Sequence, residues 1–156
     1  MEKQGIHQLY PEETKEKIIS TMEIPVRWEE LDINGHVNYS NYLNYYSEAR
    51  IHTIGEELFN TLRAEGIGPV IYKAELDFIK ELFYPDTVHI VTWLDRSISP
   101  TRVSIRQNMY SLNHHMLISS ALFYAIFMKL ENRRPVRPPK ELIEKYNLKI
   151  SRDRHE

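Results

Sequence analysis

Asp32, Asn34 and His36 fall within five residues of one another, in the run Leu31-Asp-Ile-Asn-Gly-His-Val-Asn38. A carboxylate attacks a carbonyl carbon or takes a proton from water. A histidine gives or accepts a proton near neutral pH, and an asparagine amide orients either partner. A helical pattern begins at once, at Tyr39, and free amides at a helix start polarise a carbonyl oxygen. These types together suit acyl chemistry, with Asp32, Asn34 and His36 as candidate catalytic residues. Main-chain amides from Gly35 through Val37 to Asn38 are the candidate oxyanion donors, and Tyr39 and Tyr42 the candidate substrate lining. The same pattern also describes an Asp- and Asn-rich turn that caps a helix, and spacing alone does not separate the two readings.

The elements around this run follow from periodicity. Ile18, Met22, Ile24, Val26 and Trp28 alternate as in a half-buried strand, and residues 29–37 read as a loop. From Tyr39 onward, apolar residues recur every three or four positions and spread round much of the cylinder, which predicts one long enclosed helix ending at Gly66. Gly55 inside it is expected to cost only about 1 kcal/mol against alanine. Val70, Tyr72, Ala74, Leu76 and Phe78 then alternate, followed by Val88 to Leu94 and Val103 to Met109. Met116 to Leu130 is apolar on both faces and reads as a fully buried strand, and Lys140 to Leu148 as a short helix. One strand, one long helix and four antiparallel strands make an α+β unit. A single sheet curled round the helix buries it with the fewest layers. The open sheet edges then call for a second copy of the chain.

The chain has 156 residues, 42% of them hydrophobic, with 20 basic against 22 acidic side chains and no cysteine. That length is one ordinary domain, assigned to residues 18–148 between tails 1–17 and 149–156; the first tail is either loose or a capping segment. The absent cysteine excludes a disulfide scaffold, a thiol nucleophile and a thiolate metal site. The near-neutral charge and the lack of a nucleic-acid motif argue against a nucleic-acid binder. No run approaches a membrane span and Met1–Lys17 has no apolar signal core, so the cytoplasm is expected. No cofactor or metal is called for: His114 and His115 would point to opposite faces of a strand.

The stretch Leu31-Asp-Ile-Asn-Gly-His-Val-Asn-Tyr-Ser-Asn-Tyr-Leu43 resembles the signature of hot-dog-fold thioesterases. It is similar both to the 4-hydroxybenzoyl-CoA thioesterase-like group and to the Asp-x-Asn-x-His-Val-Asn motif of acyl-carrier-protein (ACP) thioesterases. Ala74-Glu-Leu-Asp-Phe78 and Asn132-Arg-Arg-Pro-Val-Arg-Pro-Pro139 are weaker echoes, and the likeness spans roughly residues 20–147. The resemblance implies an antiparallel sheet wrapped around a long central helix, and hydrolysis of acyl-CoA or acyl-ACP in fatty acid metabolism. It implies Asp32 as nucleophile or general base, with Asn34 and His36 beside it. Its oligomers are homodimers or dimers of dimers. A binding protein of the same fold, acting as a sensor without hydrolysis, is the alternative. Pro85-Asp86 replaces the Gly-Asp of many relatives, with only a changed turn expected. Glu81 lies near a further acidic residue used by some relatives, and a solvated strand end is the preferred reading of it. The tyrosines at 39, 42, 45 and 46 read first as core and dimer interface, as do Phe78, Trp93 and Tyr124 as core.

Overall fold

The computed structural model describes residues 5–146. Five antiparallel strands form one sheet in the order β1-β3-β4-β5-β2. They are β1 (Ile18–Pro25), β2 (Ile67–Phe78), β3 (Thr87–Ser99), β4 (Arg102–Ser111) and β5 (Met116–Lys129). Between β1 and β2 the chain forms helices α1 (Tyr39–Ile54) and α2 (Glu56–Glu65), and α3 (Lys140–Tyr146) follows the sheet. The expected sheet wrapped on a helix is therefore present, with β1 and β2 as its two edges.

The core explains why α1 lies where it does. Tyr42, Tyr46 and Ala49 are buried on its inner side, against Val88, Ile90, Met109, Ile118, Ala121 and Phe123 of β3, β4 and β5. Val88, Ile90 and Met109 are inward members of the predicted alternations, and Ile118, Ala121 and Phe123 belong to the strand read as apolar on both faces. The Tyr46 and Phe123 rings meet at 5.7 Å in a T-shaped pair, worth about 1 kcal/mol beyond the area they bury. The buried Tyr46 hydroxyl donates to Ser119 Oγ at 2.7 Å, so its polar end is satisfied. Three of the four helix tyrosines are core, whereas Tyr39 is 66% exposed.

The structure corrects several expectations. The long helix is two helices: Gly55 takes φ 78°, ψ 163°, and its amide donates to the Ile51 carbonyl as a C-cap. That φ belongs to glycine, so the break is specified locally rather than merely tolerated. The first strand ends at Pro25, and a 3-10 turn at Trp28–Glu30 leaves Trp28 69% exposed instead of on the buried face. The alternation Val70 to Phe78 does not lie on one face. A bulge between Ile71 and Lys73 shifts the pairing with β5, so Pro69 and Ile71 point toward the helices before it, and Leu76 and Phe78 after it. His114 and His115 sit in the β4–β5 turn, not on a strand.

On the outer face of the sheet, residues from Ile6 to Tyr10 act as a cap. Ile6 and Tyr10 are buried with Val91, Trp93 and Tyr110. The alternatives for this segment were a loose tail and a cap, and the described part is the cap. Trp93 is thus core, on the face away from α1. Residues 147–156 lie outside the described part, including the last two of the predicted C-terminal helix and all of the second tail.

Candidate active site

The loop from Leu31 to Val37 is closed by an antiparallel bridge between those two residues. Inside it, the Asp32 amide donates to the His36 carbonyl at 2.7 Å, and the Gly35 amide to the Asp32 carbonyl at 3.0 Å. Asp32 Oδ1 accepts the amides of Asn34 at 2.8 Å and His36 at 3.2 Å. This is an Asx-type turn: a short acidic side chain substitutes for a backbone acceptor. Gly35 sits at φ 81°, which permits the reversal without Cβ strain. Only Oδ1 of Asp32 is engaged; among the described residues Oδ2 has no protein donor.

Two contacts dock the loop. The Val37 amide donates to the Leu82 carbonyl at 2.8 Å, and the Asn38 amide to the Glu30 carbonyl at 2.9 Å. Asn38 then caps α1, its Oδ1 accepting the Ser40 amide at 3.0 Å, a cap worth about 1 kcal/mol. Glu30 Oε1 accepts from the Tyr45 hydroxyl at 2.8 Å and from the Arg27 amide at 2.7 Å. The helix start is therefore held from both sides.

A cavity of about 270 Å³ opens beside this loop, lined by Asp32, His36, Val37, Tyr39 and Tyr42 and by the Phe78–Glu81 segment. His36 Nε2 lies 3.2 Å from Glu81 Oε2, and its ring meets Phe83 edge-on at 5.1 Å. The Phe78 ring stands 4.5 Å from Tyr39 and 5.3 Å from Tyr42. Burial, with Tyr39 nearby, pushes the Tyr42 hydroxyl up to about 12, so it stays protonated.

Of the candidate residues, the structure gathers Asp32, His36, Val37, Tyr39 and Tyr42 on one cavity. Asn34, Gly35 and Asn38 do not line it. Asn34 contributes its main-chain amide to the turn and its side chain is exposed; Gly35 supplies the reversal; Asn38 caps the helix. The expected oxyanion amides are spent as well, since those of Gly35, Val37 and Asn38 all donate to protein carbonyls. The Tyr39 amide, the first of α1, has no protein acceptor among the described residues.

The wall from Phe78 to Glu81 was not the preferred expectation: Phe78 read as core, and Glu81 as a solvated strand end rather than as the further acidic residue of some relatives. Glu81 is mostly exposed, but its carboxylate faces His36. Both arrive because the Ile79 and Lys80 amides donate to the Ile118 carbonyl, at 2.9 and 3.1 Å, which carries the chain past the end of β2 toward the loop. Phe78 closes the segment Ala74-Glu-Leu-Asp-Phe78 and Glu81 lies three residues beyond it, near the position of an acidic residue in some relatives.

Chemically, the site offers a carboxylate with one uncommitted oxygen, a helix start whose partial positive charge favours a developing oxyanion, a histidine–glutamate pair and an aromatic wall. Nucleophilic or water-mediated attack on an acyl carbonyl uses each of these.

Residues 26–146 match the model of the thioesterase-like superfamily. No curated protein matches the chain in sequence. Among solved structures, the PA2801 protein of Pseudomonas aeruginosa aligns with TM-score 0.75 and 23% identity, over 82% of this chain and 98% of that one. The DHNA-CoA thioesterase of Staphylococcus aureus aligns with TM-score 0.74 and 23% identity, over 82% and 88%. The SAV2348 protein of Staphylococcus aureus, solved in complex with CoA, aligns with TM-score 0.72 and 14% identity, over 88% and 89%. These likenesses give the hot-dog fold expected from the sequence.

Proposed function

The chain belongs to the thioesterase-like superfamily, and from that membership we propose that it hydrolyses an acyl thioester in the cavity beside Asp32. The observation that carries this reading is the uncommitted Oδ2 of Asp32 on a cavity that is also lined by Tyr39, whose amide at the start of α1 has no protein acceptor among the described residues. The acyl carbonyl oxygen sits on that amide, where the helix dipole stabilises negative charge. Asp32 attacks the carbonyl carbon, or takes a proton from the attacking water; water then supplies the oxygen of the acid in either route. His36, paired with Glu81, gives a proton to the departing thiolate. The products are one carboxylic acid and one thiol. Asn34 acts on this reaction only through the turn.

The Tyr39, Tyr42 and Phe78 wall favours an acyl group with a flat or aromatic portion next to the thioester. Coenzyme A is the carrier favoured by the neighbours: one is named for an aryl-CoA substrate and another was solved with CoA. The carrier-protein form of the reaction is the other arm of the test. The chain acts as a homodimer or a dimer of dimers. The support is β2, a 12-residue edge strand whose Ile71, Tyr72 and Phe78 are exposed in the single chain. Among the described residues no helix is long and apolar enough to cross a membrane.

The experiment is a hydrolysis screen with free-thiol detection, using aromatic, short, long and branched acyl-CoAs and matching acyl carrier proteins, with the oligomer sized in parallel. Turnover of an aryl-CoA is expected. Tight binding of one thioester with release from none would replace the hydrolase by a sensor.

A further inference from the structure

A second cavity, of about 250 Å³, lies between the helices and the sheet, around the C-terminal half of α1. Its walls are mostly hydrocarbon, with Ile54, Leu94, Ile105 and Phe127 among them; Ser47, Thr53 and Thr92 also line it, and one charged side chain does, that of Arg50. From Tyr39 to Arg50 the helix rises about 16 Å, so this cavity is a different place from the one beside Asp32, and the two share no lining residue.

The setting of Arg50 is unusual. Its Nη1 donates to Gln107 Oε1 at 2.9 Å, and its guanidinium lies 4.0 Å above the Phe123 ring. Among the described residues no carboxylate stands within ion-pair distance of it. Gln107 is fully buried, and both donations of its Nε2 are taken, by the Tyr46 carbonyl at 3.1 Å and Thr92 Oγ1 at 3.0 Å. The amide is thereby fixed with its oxygen toward Arg50. Burial lowers the guanidinium to about 10, which leaves it charged at neutral pH. A guanidinium has five N–H donors in a planar fork, and one bond to protein leaves most of them unmatched. None is sealed: no buried side-chain nitrogen lacks a partner among the described residues, so the remaining donors are accessible, and Arg50 lines this cavity.

A desolvated cation without an anion is unfavourable, and a planar fork best accepts a two-oxygen acid. We propose that this cavity binds an apolar carboxylate, its acid group on Arg50 and its hydrocarbon against Leu94, Ile105 and Phe127. An alcohol or amine of the same chain length leaves the charge unmatched or opposed. The site stands on its own observations and holds whether or not the chain hydrolyses thioesters. The same chemistry is available from a free acid and from a thioester carrying a second, distal carboxylate.

The test uses calorimetric titration and thermal shift on the full chain with decanoate, decanol, decylamine and the CoA monothioester of decanedioic acid. Decanoate is expected to bind and raise Tm, with decanol at least about tenfold weaker and decylamine absent, since a charge-assisted pair is worth about one decade or more. Arg50→Gln should lose at least that factor for decanoate while keeping decanol affinity, which also shows that the variant is folded. Asp32→Asn should bind decanoate as the wild type does. Binding of decanedioyl-CoA that depends on Arg50 assigns the distal acid of a thioester as a ligand; binding of decanoate alone assigns the free acid. Equal affinity for decanoate and decanol, or decanoate binding unchanged in Arg50→Gln, overturns the proposal. Decanoate binding lost in Asp32→Asn but kept in Arg50→Gln does so too, and moves the acid to the first cavity.

Discussion

Asp32 grips His36 twice: its amide donates to the His36 carbonyl at 2.7 Å, and its Oδ1 accepts the His36 amide at 3.2 Å. The same carboxylate that is free at Oδ2 for chemistry thus shapes the loop carrying the histidine. Structural and chemical duties sit on different oxygens of one side chain, and substitution can separate them.

Asp32→Asn keeps a carbonyl oxygen for the two amides and removes the charge. Turnover should fall by about a hundredfold or more, with stability within about 0.5 kcal/mol of wild type. Asp32→Ala should lose the same activity and a further ~1 kcal/mol in urea unfolding, because the turn loses its acceptor. Full hydrolysis by the asparagine variant, on a verified substrate, would remove Asp32 from the mechanism.

Glu81 lines the cavity and its carboxylate lies 3.2 Å from His36, through which it acts in the proposed reaction. His36→Ala should lower kcat by about a hundredfold and Glu81→Gln by less. In the double variant the second change should add almost nothing, since residues acting as one unit are strongly non-additive. Additive losses in steady-state kinetics would make Glu81 an independent group.

Asp86 is buried, with Oδ1 accepting the Thr87 and Asn113 amides at 2.7 and 3.1 Å and Oδ2 the Ser111 hydroxyl at 2.5 Å. The changed turn was expected of Pro85, whereas Asp86 ties the start of β3 to the β4–β5 turn. Asp86→Ala should cost about 3 kcal/mol, because three donors lose one acceptor together. Chemical denaturation reads this directly, and a loss below about 1 kcal/mol would mean that water replaces the carboxylate.

His89 lies under the N-terminal cap, its Nε2 against the Tyr10 hydroxyl and its Nδ1 3.3 Å from Glu23 Oε1. Burial lowers its pKa below the usual value, with Glu23 opposing. The unfolded chain therefore binds more protons just below the ordinary histidine pKa of about 6.5. Stability from this group is complete above about pH 6.5 and is lost as pH falls through the folded pKa. Urea midpoints taken across that window should drop on acidification in the wild type and less so in His89→Gln. Equal slopes would assign the dependence elsewhere.

The layers were legible in the sequence because period carries them. The inward residues of β3 and β4, Val88 to Leu94 and Val103 to Met109, follow the written alternation. The cavity-lining part of the site was legible where local chemistry is dense, at Asp32 and His36. What escaped depends on one residue's backbone or on distant segments meeting. Gly55 breaks a helix that its neighbours support. The bulge in β2 is set by pairing with β5, which no local pattern records. Glu81 meets His36 only once the sheet is formed. Asn34, Gly35 and Asn38 shape the turn and the cap instead of lining the cavity, a distinction local sequence does not record because turn and cap chemistry uses the same residue types as catalysis.

The bulge between Ile71 and Lys73 also fixes where β2 tolerates a change of length. Tyr72 is the supernumerary residue, its ring outward near Tyr124 at 6.0 Å and under the Arg102 guanidinium at 5.2 Å. Deleting it restores unbroken alternation and keeps Ile71 beside the Arg50 cavity and Phe78 beside Asp32. Deleting one residue between Lys73 and Asp77 instead leaves the bulge in place and inverts the strand beyond the gap, turning Phe78 away from the cavity beside Asp32. Single-residue length variation in this strand is therefore compatible with both cavities at Tyr72 and costs one of them at positions beyond it.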